Sequence, residues 1–157
     1  MALDRTDRVL VRALQRNARV SNKALAEQVG LAPSTCLERV RSLRARGVVR
    51  GFHAEVDPAA LGRGAEALIA ARIRPHSRQI VDAFWQHVLS LPETIAIFHL
   101  SGADDFLIHV AVEDTGALRD FVLDRLTSRP EVAHLETHLI FAQERNPVLE
   151  PLDRGER

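Results

Sequence analysis

Residues 21–46 read SNKALAEQVGLAPSTCLERVRSLRAR, a stretch that predicts two short helices joined at a glycine. Gly30 favours the left-handed conformation in which helices commonly end. Pro33 suits the first turn of the next helix, because its missing N–H would have no partner there. Two helices around such a turn form a helix-turn-helix. Apolar residues recur at helical spacing in the first of them: Leu25, Ala26 and Val29.

The second helix has an apolar side and a polar side, since successive residues turn by about 100°. The side predicted to be buried consists of Cys36, Leu37, Val40 and Leu43. The outward side consists of Ser34, Thr35, Glu38, Arg41 and Ser42, with Arg39 and Arg46 on its flanks. Hydroxyl, carboxylate and guanidinium groups read base edges and hold phosphates when such a helix enters the major groove of DNA. We therefore predict a DNA-binding surface of these residues and Lys23, with an ordinary solvated helix pair as the alternative.

The charge of the chain is unevenly divided, although the net charge of its 157 residues is zero. Residues 1–53 contain eleven Lys or Arg against four Asp or Glu, and residues 54–157 contain ten against seventeen. Positive charge supplies the salt-sensitive part of affinity for double-stranded DNA, whereas an acidic domain stays off the duplex. The division predicts a DNA-binding domain at residues 1–53 and a second domain with another task.

Composition also restricts the class of protein. No run approaches the eighteen or so apolar residues that span a membrane, and charged residues interrupt the start, where a signal peptide needs an apolar core. We therefore expect a cytoplasmic protein without a membrane partner. Cys36 is the one cysteine, which excludes an intrachain disulfide and a cysteine metal cluster. We expect it to be a small core residue.

A further helix completes the N-terminal domain. Residues 4–17 begin with Asp4 as N-cap and Asp7 in the first turn, where the helix dipole favours a carboxylate. Its apolar stripe consists of Val9, Leu10, Ala13 and Leu14. Residues 48–56 are predicted to be extended, and we expect residues 54–65 to form an ordered linker strand.

Residues 66–145 alternate strand and helix patterns in the order βαββαβ. Strands are predicted at residues 66–74, 94–101, 106–112 and 132–141, and helices at residues 79–91 and 115–128. This order is that of the ferredoxin-like fold, an α+β fold with both helices on one face of an antiparallel sheet. The other face would expose apolar residues in a monomer, so we expect a symmetric dimer to cover it. The polar tail at residues 146–157 is predicted to fray.

Six short motifs occur in order along the chain. They are LDxxDxVLxxxL at residues 3–14, LAxxVGLAP at 25–33, CLERVRxL at 36–43, GVVxGF at 47–52, SGxxDF at 101–106 and PxV at 130–132. This ordered set resembles the Lrp/AsnC family, the leucine-responsive/asparagine regulators of bacterial and archaeal transcription. The likeness covers residues 3–145.

The resemblance implies a transcription regulator with an N-terminal DNA-binding domain and a C-terminal domain that senses a small molecule. In many members the effector is an amino acid bound between dimers. The resemblance also implies homodimers that pair through their C-terminal sheets and assemble into tetramers, octamers or higher rings. From the residues themselves we expect no cofactor, no resident metal and no catalytic residue. The family's effector loop falls on Ser101, Gly102, Ala103, Asp104 and Asp105, with Thr137 from the last strand.

The chemistry of this loop suits an amino acid. Gly102 permits close approach to backbone N–H groups that hold a carboxylate, and Asp104 or Asp105 offers a partner for an ammonium group. A plain hairpin turn is the alternative, since Gly and Asp are ordinary turn residues. Three positions depart from the family pattern. Ala32 replaces a common serine N-cap, and Asp104 and Leu135 alter the effector pocket, which leaves the identity of the effector open.

Three other functions are alternatives. The first is a DNA-binding architectural or regulatory protein whose C-terminal domain only oligomerises. An enzyme would need a nucleophile, a base and an orienting group, and the sequence shows no such set, so we predict that the protein is not an enzyme. Metal sensing would need three or four converging ligands. Of the seven histidines, four form two expected pairs, His99 with His109 across the hairpin and His134 with His138 on the last strand, and no compact ligand cluster is evident.

Overall fold

The computed structural model describes residues 3–151, which form two compact units. Residues 3–55 together with 144–151 form the first unit, and residues 56–143 form the second. No helix in this described part of the chain is long and apolar enough to cross a membrane.

Three helices make up the first unit: α1 (Arg5–Arg16), α2 (Asn22–Val29) and α3 (Pro33–Ala45). Their ends follow from local chemistry. The Asp4 carboxylate accepts from the Asp7 amide at 2.7 Å, and Ser21 Oγ accepts from the Ala24 amide at 3.2 Å. Gly30 ends α2 with a φ of 65°. The predicted helix-turn-helix and its caps are confirmed.

The core of the first unit lies where the three helices meet, and it includes Cys36 as predicted. The prediction that Leu37 is also buried is wrong, because Leu37 is 38% exposed. Cys36 and Leu43 are seven residues apart and therefore lie on one line along α3. Leu37 is turned by about 100° from that line and faces outward. The core residues are Leu10, Leu14, Leu25, Ala26, Cys36 and Leu43.

Residues 54–64 contain no strand, so the prediction of a linker strand is wrong. Ala59–Leu61 form a turn of 3-10 helix instead, which ends at Gly62 with a φ of 76°. Asp57 starts this turn, since its carboxylate accepts from the Ala59 amide at 3.0 Å. A side chain that binds its neighbouring backbone offers that backbone an alternative to a sheet.

The tail is predicted to fray, but residues 149 and 150 contact α1. The Leu149 amide donates to Gln15 Oε1 at 2.8 Å, and Gln15 Nε2 donates to the Leu149 carbonyl oxygen at 3.1 Å. Arg12 forms an ion pair with Glu150 at 2.7 Å. The side-chain amide of Gln15 thus forms hydrogen bonds with both the backbone N–H and the backbone carbonyl group of Leu149. Residues 152–157 lie outside the described part of the chain.

The second unit is a four-stranded antiparallel sheet with two helices packed on one face. The strands are β1 (Ala65–Ile73), β2 (Thr94–His99), β3 (Phe106–Val112) and β4 (Val132–Leu139), in the spatial order β2-β3-β1-β4. The helices are α4 (Arg78–Ser90) and α5 (Thr115–Phe121). The predicted ferredoxin-like α+β fold is confirmed, with most element ends shifted by a residue or two.

The helices cover alternate residues of the strands, and these form the second core. Ile69 of β1 and Ile108 of β3 pair across the sheet, and both are fully buried. Their neighbours along each strand point to the opposite face, as the pleat requires. That face carries apolar side chains that are partly or largely exposed: Leu68, Phe98 and Leu107. Within one chain the sheet therefore has one covered face and one open apolar face.

Helix α5 continues into a wider, π-helical segment at Val122–Thr127. The Ser128 amide donates to the Leu123 carbonyl oxygen, five residues earlier, at 3.1 Å. Phe121 and Leu126 are also five residues apart, and both lie in the core. An ordinary α-helix would turn Leu126 well away from Phe121. The wider turn keeps both side chains on the buried side.

Helix α3 begins without a side-chain cap, because Ala32 occupies the N-cap position. We expect Ala32→Ser to raise the free energy of unfolding by about 1 kcal/mol, since its hydroxyl would accept an N–H of the first turn. Chemical unfolding of the full chain measures this. Ala45→Ser, at the last residue of α3, is the control, and an equal gain in both variants would contradict the capping argument.

Candidate DNA-binding and ligand-binding sites

The first candidate site is the outward surface of α3. Leu37 lies within this surface, four residues before Arg41 and so on the same side of the helix. No side chain among residues 3–151 pairs with Arg41, so its guanidinium group is available to a phosphate or a base. The predicted residues that the structure leaves exposed are Lys23, Ser34, Thr35, Glu38, Arg41 and Ser42.

Arg39 and Arg46 make ion pairs inside the first unit. Arg39 NH1 lies 2.7 Å from Asp4 Oδ2 and 3.0 Å from Asp7 Oδ1. Arg46 NH1 lies 3.1 Å from Asp7 Oδ2. The sequence places both arginines beside the DNA-binding surface, and the structure adds partners at the start of α1. The signal for this contact is the LDxxD motif, whose aspartates are three residues apart and so share one side of the helix.

These contacts also shift the pKa values of Asp4 and Arg39. The pKa of Asp4 lies below its ordinary value, first because the Asp7 amide donates to its carboxylate and then because Arg39 does. Hydrogen bonds to Asp4 and Asp7 raise the pKa of Arg39. Asp4 and Arg39 are therefore both charged at neutral pH.

The second candidate site is the loop between β2 and β3. The Leu100 amide donates to the Asp105 carbonyl oxygen at 2.8 Å, which closes the loop. Gly102 has a φ of 138°, a conformation that other residues rarely adopt. No described residue accepts from the amide groups of residues 101–104. These N–H groups are therefore free to hold an anion such as a carboxylate.

Asp105 anchors this loop to β1. Its Oδ2 accepts from the Ile73 amide at 2.8 Å and from Arg74 at 3.1 Å, and its Oδ1 lies 3.1 Å from His76 Nδ1. Burial alone would raise the pKa of Asp105. The Ile73 amide, and then the charges of His76 and Arg74, outweigh burial and leave the pKa below its ordinary value. The Asp105 carboxylate is thus ionised, and both of its oxygens already have partners within the chain.

Asp104 is the more available carboxylate of the loop. Its side chain is 27% exposed and meets Arg72 at 3.4 Å, a long contact for an ion pair. Arg72 also donates to the Ala103 carbonyl oxygen at 2.7 Å. Thr137 lies on β4 opposite Ile69. Within one chain, β1 stands between Thr137 and the hairpin that carries the loop.

The prediction that His99 and His109 lie near each other across the hairpin is wrong. His99 pairs with Phe106 in the register of the sheet, and His109 lies three residues further along β3. Three residues of a strand span about 10 Å. His109 instead meets Glu66 at 2.9 Å. No three His, Cys, Asp or Glu side chains of residues 3–151 are grouped to hold a metal ion.

Both units match known sequence families. Residues 3–44 match the AsnC-type helix-turn-helix domain, and residues 66–148 match the Lrp/AsnC ligand binding domain. The chain belongs to the Lrp/AsnC family. This Lrp/AsnC protein is a DNA-binding transcription regulator with a ligand-binding domain, and it is not an enzyme.

Named relatives support the same assignment for this Lrp/AsnC protein. It is 45% identical over 139 residues to AldR, an HTH-type transcriptional regulator of Mycolicibacterium smegmatis, covering 88% of this chain and 81% of AldR. It is 34% identical over 141 residues to the leucine-responsive regulatory protein of Rhizobium meliloti, covering 90% of each. A transcriptional regulator of Neisseria meningitidis, solved as a complex with L-Met, is 32% identical with a TM-score of 0.87. That match covers 97% of this chain and 98% of the other.

We expect Asp105→Ala to lower the free energy of unfolding by roughly 1–3 kcal/mol, because it leaves the Ile73 amide without an acceptor. Asp104→Ala is the matched control and should lower it by less than about 1 kcal/mol, since its ion pair is long and partly exposed. Urea unfolding of both variants at neutral pH measures the difference.

The effect of Asp105→Ala should also depend on pH. A carboxyl group whose pKa is lowered by folding stabilises the protein above its unfolded pKa of about 3.9. That stability is lost as the pH falls through the lower pKa of the folded state. The gap between the wild type and Asp105→Ala is therefore full at neutral pH and narrows below about pH 4. A gap that widens on acidification would contradict the assignment of the anchor.

Proposed function

We propose that the first unit reads double-stranded DNA with α3 in the major groove. The observation that carries the proposal is the exposed and mostly polar outward side of α3, on which Arg41 has no partner among the described residues. Residues near the N-terminus of such a helix contact base edges, and lysines such as Lys23 hold phosphates. The proposed contact residues are Lys23, Ser34, Thr35, Leu37, Glu38, Arg41 and Ser42.

Leu37 and the paired arginines change the set of contacts that the sequence predicts. An exposed apolar side chain on a recognition helix suits the methyl group of thymine, and we propose this contact for Leu37. Arg39 and Arg46 are held by Asp4 and Asp7. Their proposed role is to support α3 rather than to contact DNA.

For the second unit we propose a free amino acid as the effector. The amide groups of Ser101, Gly102 and Ala103 would hold its carboxylate. Asp104 would pair with its ammonium group in place of the long contact to Arg72. The loop offers donors and an acceptor within four residues, which matches a zwitterion. The Neisseria relative solved with L-Met supports the same class of ligand.

We further propose that the protein acts as a homo-oligomer. A symmetric dimer would cover the open face of the sheet, which carries Leu68, Phe98 and Leu107. Thr137 pairs with Ile69 and so points to the other face of the sheet, on the edge strand β4, where β1 separates it from the loop of its own chain. We propose that it meets an effector loop of a neighbouring copy in a larger assembly. Assembly into tetramers, octamers or higher rings follows from the family resemblance.

One observation favours a second candidate function, in which the C-terminal domain only oligomerises. Asp105 is fully engaged, and Asp104 already has Arg72 as a partner. The loop is therefore electrostatically balanced without a ligand. In this case the protein would be a DNA-binding architectural or regulatory protein with no effector.

We expect Arg41→Ala to weaken binding to a preferred DNA sequence roughly ten- to a hundred-fold, the cost of one lost base contact. Binding to random duplex should weaken much less. Fluorescence anisotropy on both DNAs measures this, with the preferred sequence selected by the wild-type protein from a random pool.

Arg5→Ala is the matched control, because Arg5 is an exposed arginine of α1 outside the proposed surface. It should change binding to both DNAs by the same small factor. An equal loss on both DNAs for Arg41→Ala would make Arg41 a phosphate contact and would remove it from sequence readout.

We expect one amino acid, or a few related ones, to raise the melting temperature of the protein. A ligand at about a hundred times its Kd stabilises by roughly 2.7 kcal/mol. Thermal unfolding against each of the twenty amino acids at a high, fixed concentration tests this. Asp104→Asn should abolish the shift and leave the fold intact. No shift with any amino acid would favour the architectural function.

A further inference from the structure

We infer that Asp7 is a positioning residue for DNA recognition, because its carboxylate fixes the orientation of α3 against α1. The inference rests on the proposed use of α3 as the recognition helix. It assigns a role to a residue that contacts no DNA in that proposal.

The geometry joins one carboxylate to Arg39 within α3 and to Arg46, the residue that caps its C-terminal end. Asp7 Oδ1 meets Arg39 NH1 at 3.0 Å, and Asp7 Oδ2 meets Arg46 NH1 at 3.1 Å. Arg39 and Arg46 are seven residues apart, which is about 10 Å along a helix axis. Contacts at two such points resist both rotation and tilt of α3, whereas a contact at one point would allow tilt.

Asp7 and part of the Arg46 side chain are buried, so the ion pair between them cannot be replaced by water without a change in the structure. Asp7 is 5% exposed, and a buried carboxylate is stable only when it is paired. Arg46 Nε and NH2 are also buried and have no hydrogen-bond partner among the described residues. Arg46 therefore depends on Asp7 for its one ion pair. Without Asp7, the Arg46 side chain would have to turn to solvent, and the C-terminal end of α3, which Arg46 caps, would move with it.

Asp4 contributes less to this arrangement. Its side chain is 52% exposed, and it pairs with Arg39 alone. Its carboxylate mainly caps the N-terminus of α1, where it accepts a hydrogen bond from the Asp7 amide. Asp7 is the residue that connects both arginines to α1.

A positioning role for Asp7 and simple electrostatics predict opposite effects of Asp7→Asn on affinity for the preferred DNA sequence. Asp7→Asn removes a negative charge from a basic unit, frees the guanidinium group of Arg46 and leaves Arg39 paired with Asp4 alone. Charge alone would therefore tighten binding to every DNA sequence. If Asp7 positions α3, binding to the preferred sequence weakens while binding to random duplex stays equal or tightens.

The test uses the full chain, with the preferred duplex selected by the wild type from a random pool and a random duplex of equal length. Affinity is measured over a series of salt concentrations. For Asp7→Asn we expect a loss of roughly ten-fold or more on the preferred duplex, comparable to one mismatched base pair. On random duplex the salt dependence should steepen by up to about 0.9 for each freed guanidinium group that meets a phosphate.

Glu27→Gln is the matched control, because Glu27 is an exposed acidic residue of α2 in the same unit. It should change binding to both DNAs by one common factor. Tighter binding of Asp7→Asn to both DNAs by the same factor as Glu27→Gln would overturn the inference. A wild type that selects no preferred sequence would instead overturn the proposed function, so the two failures are distinct.

Arg39→Gln keeps the test decisive if Asp7→Asn does not fold. This variant leaves the pair between Asp7 and Arg46 in place, and Arg39 is the more exposed arginine. Positioning predicts weaker binding to the preferred duplex with an unchanged salt dependence. A loss on both DNAs with a shallower salt dependence would make Arg39 a phosphate contact and would overturn the inference.

Discussion

In each unit a nearly buried aspartate joins two elements, and the two proposed binding surfaces depend on these contacts. Asp7 connects α1 to Arg39 of α3 and to Arg46 at its C-terminal end. Asp105 connects the β2–β3 loop to the end of β1. A carboxylate removed from water is costly unless its oxygens are paired, so each aspartate restricts its neighbours to a narrow geometry. Arg41 follows Arg39 by two residues and Asp104 directly precedes Asp105, so residues that we propose for DNA and for a ligand belong to the anchored segments.

Most of the fold was predictable because its signals are local. Asp4, Ser21 and Gly30 mark helix ends through bonds within a few residues, and the sequence carries those signals in full. The order of strands and helices also predicts the ferredoxin-like sheet. The exposure of Leu37 was not predictable, because it depends on how little of α3 is covered by α1 and α2. The missing linker strand has a similar cause, since periodicity does not show whether a segment finds a partner strand.

The candidate sites, like the fold, were predictable only in part. Helical periodicity predicts which residues of α3 face outward, and Arg41 is exposed as that rule requires. It does not predict that Arg39 and Arg46 have acidic partners more than thirty residues away. In the loop, composition treats Asp104 and Asp105 alike. Only the approach of Ile73 and Arg74 shows that Asp105 is structural, which is why we propose Asp104 as the carboxylate that meets a ligand.

The π-helical segment at Val122–Thr127 bears on how this chain should be aligned with its relatives. Phe121 and Leu126 both reach the core although five residues separate them. A relative with one residue fewer between them would place the leucine four residues on, a spacing that an ordinary α-helix also turns to the same side. Both lengths preserve one core. A one-residue gap in an alignment of such chains therefore belongs between positions 122 and 125, and placing it elsewhere would pair buried residues with exposed ones.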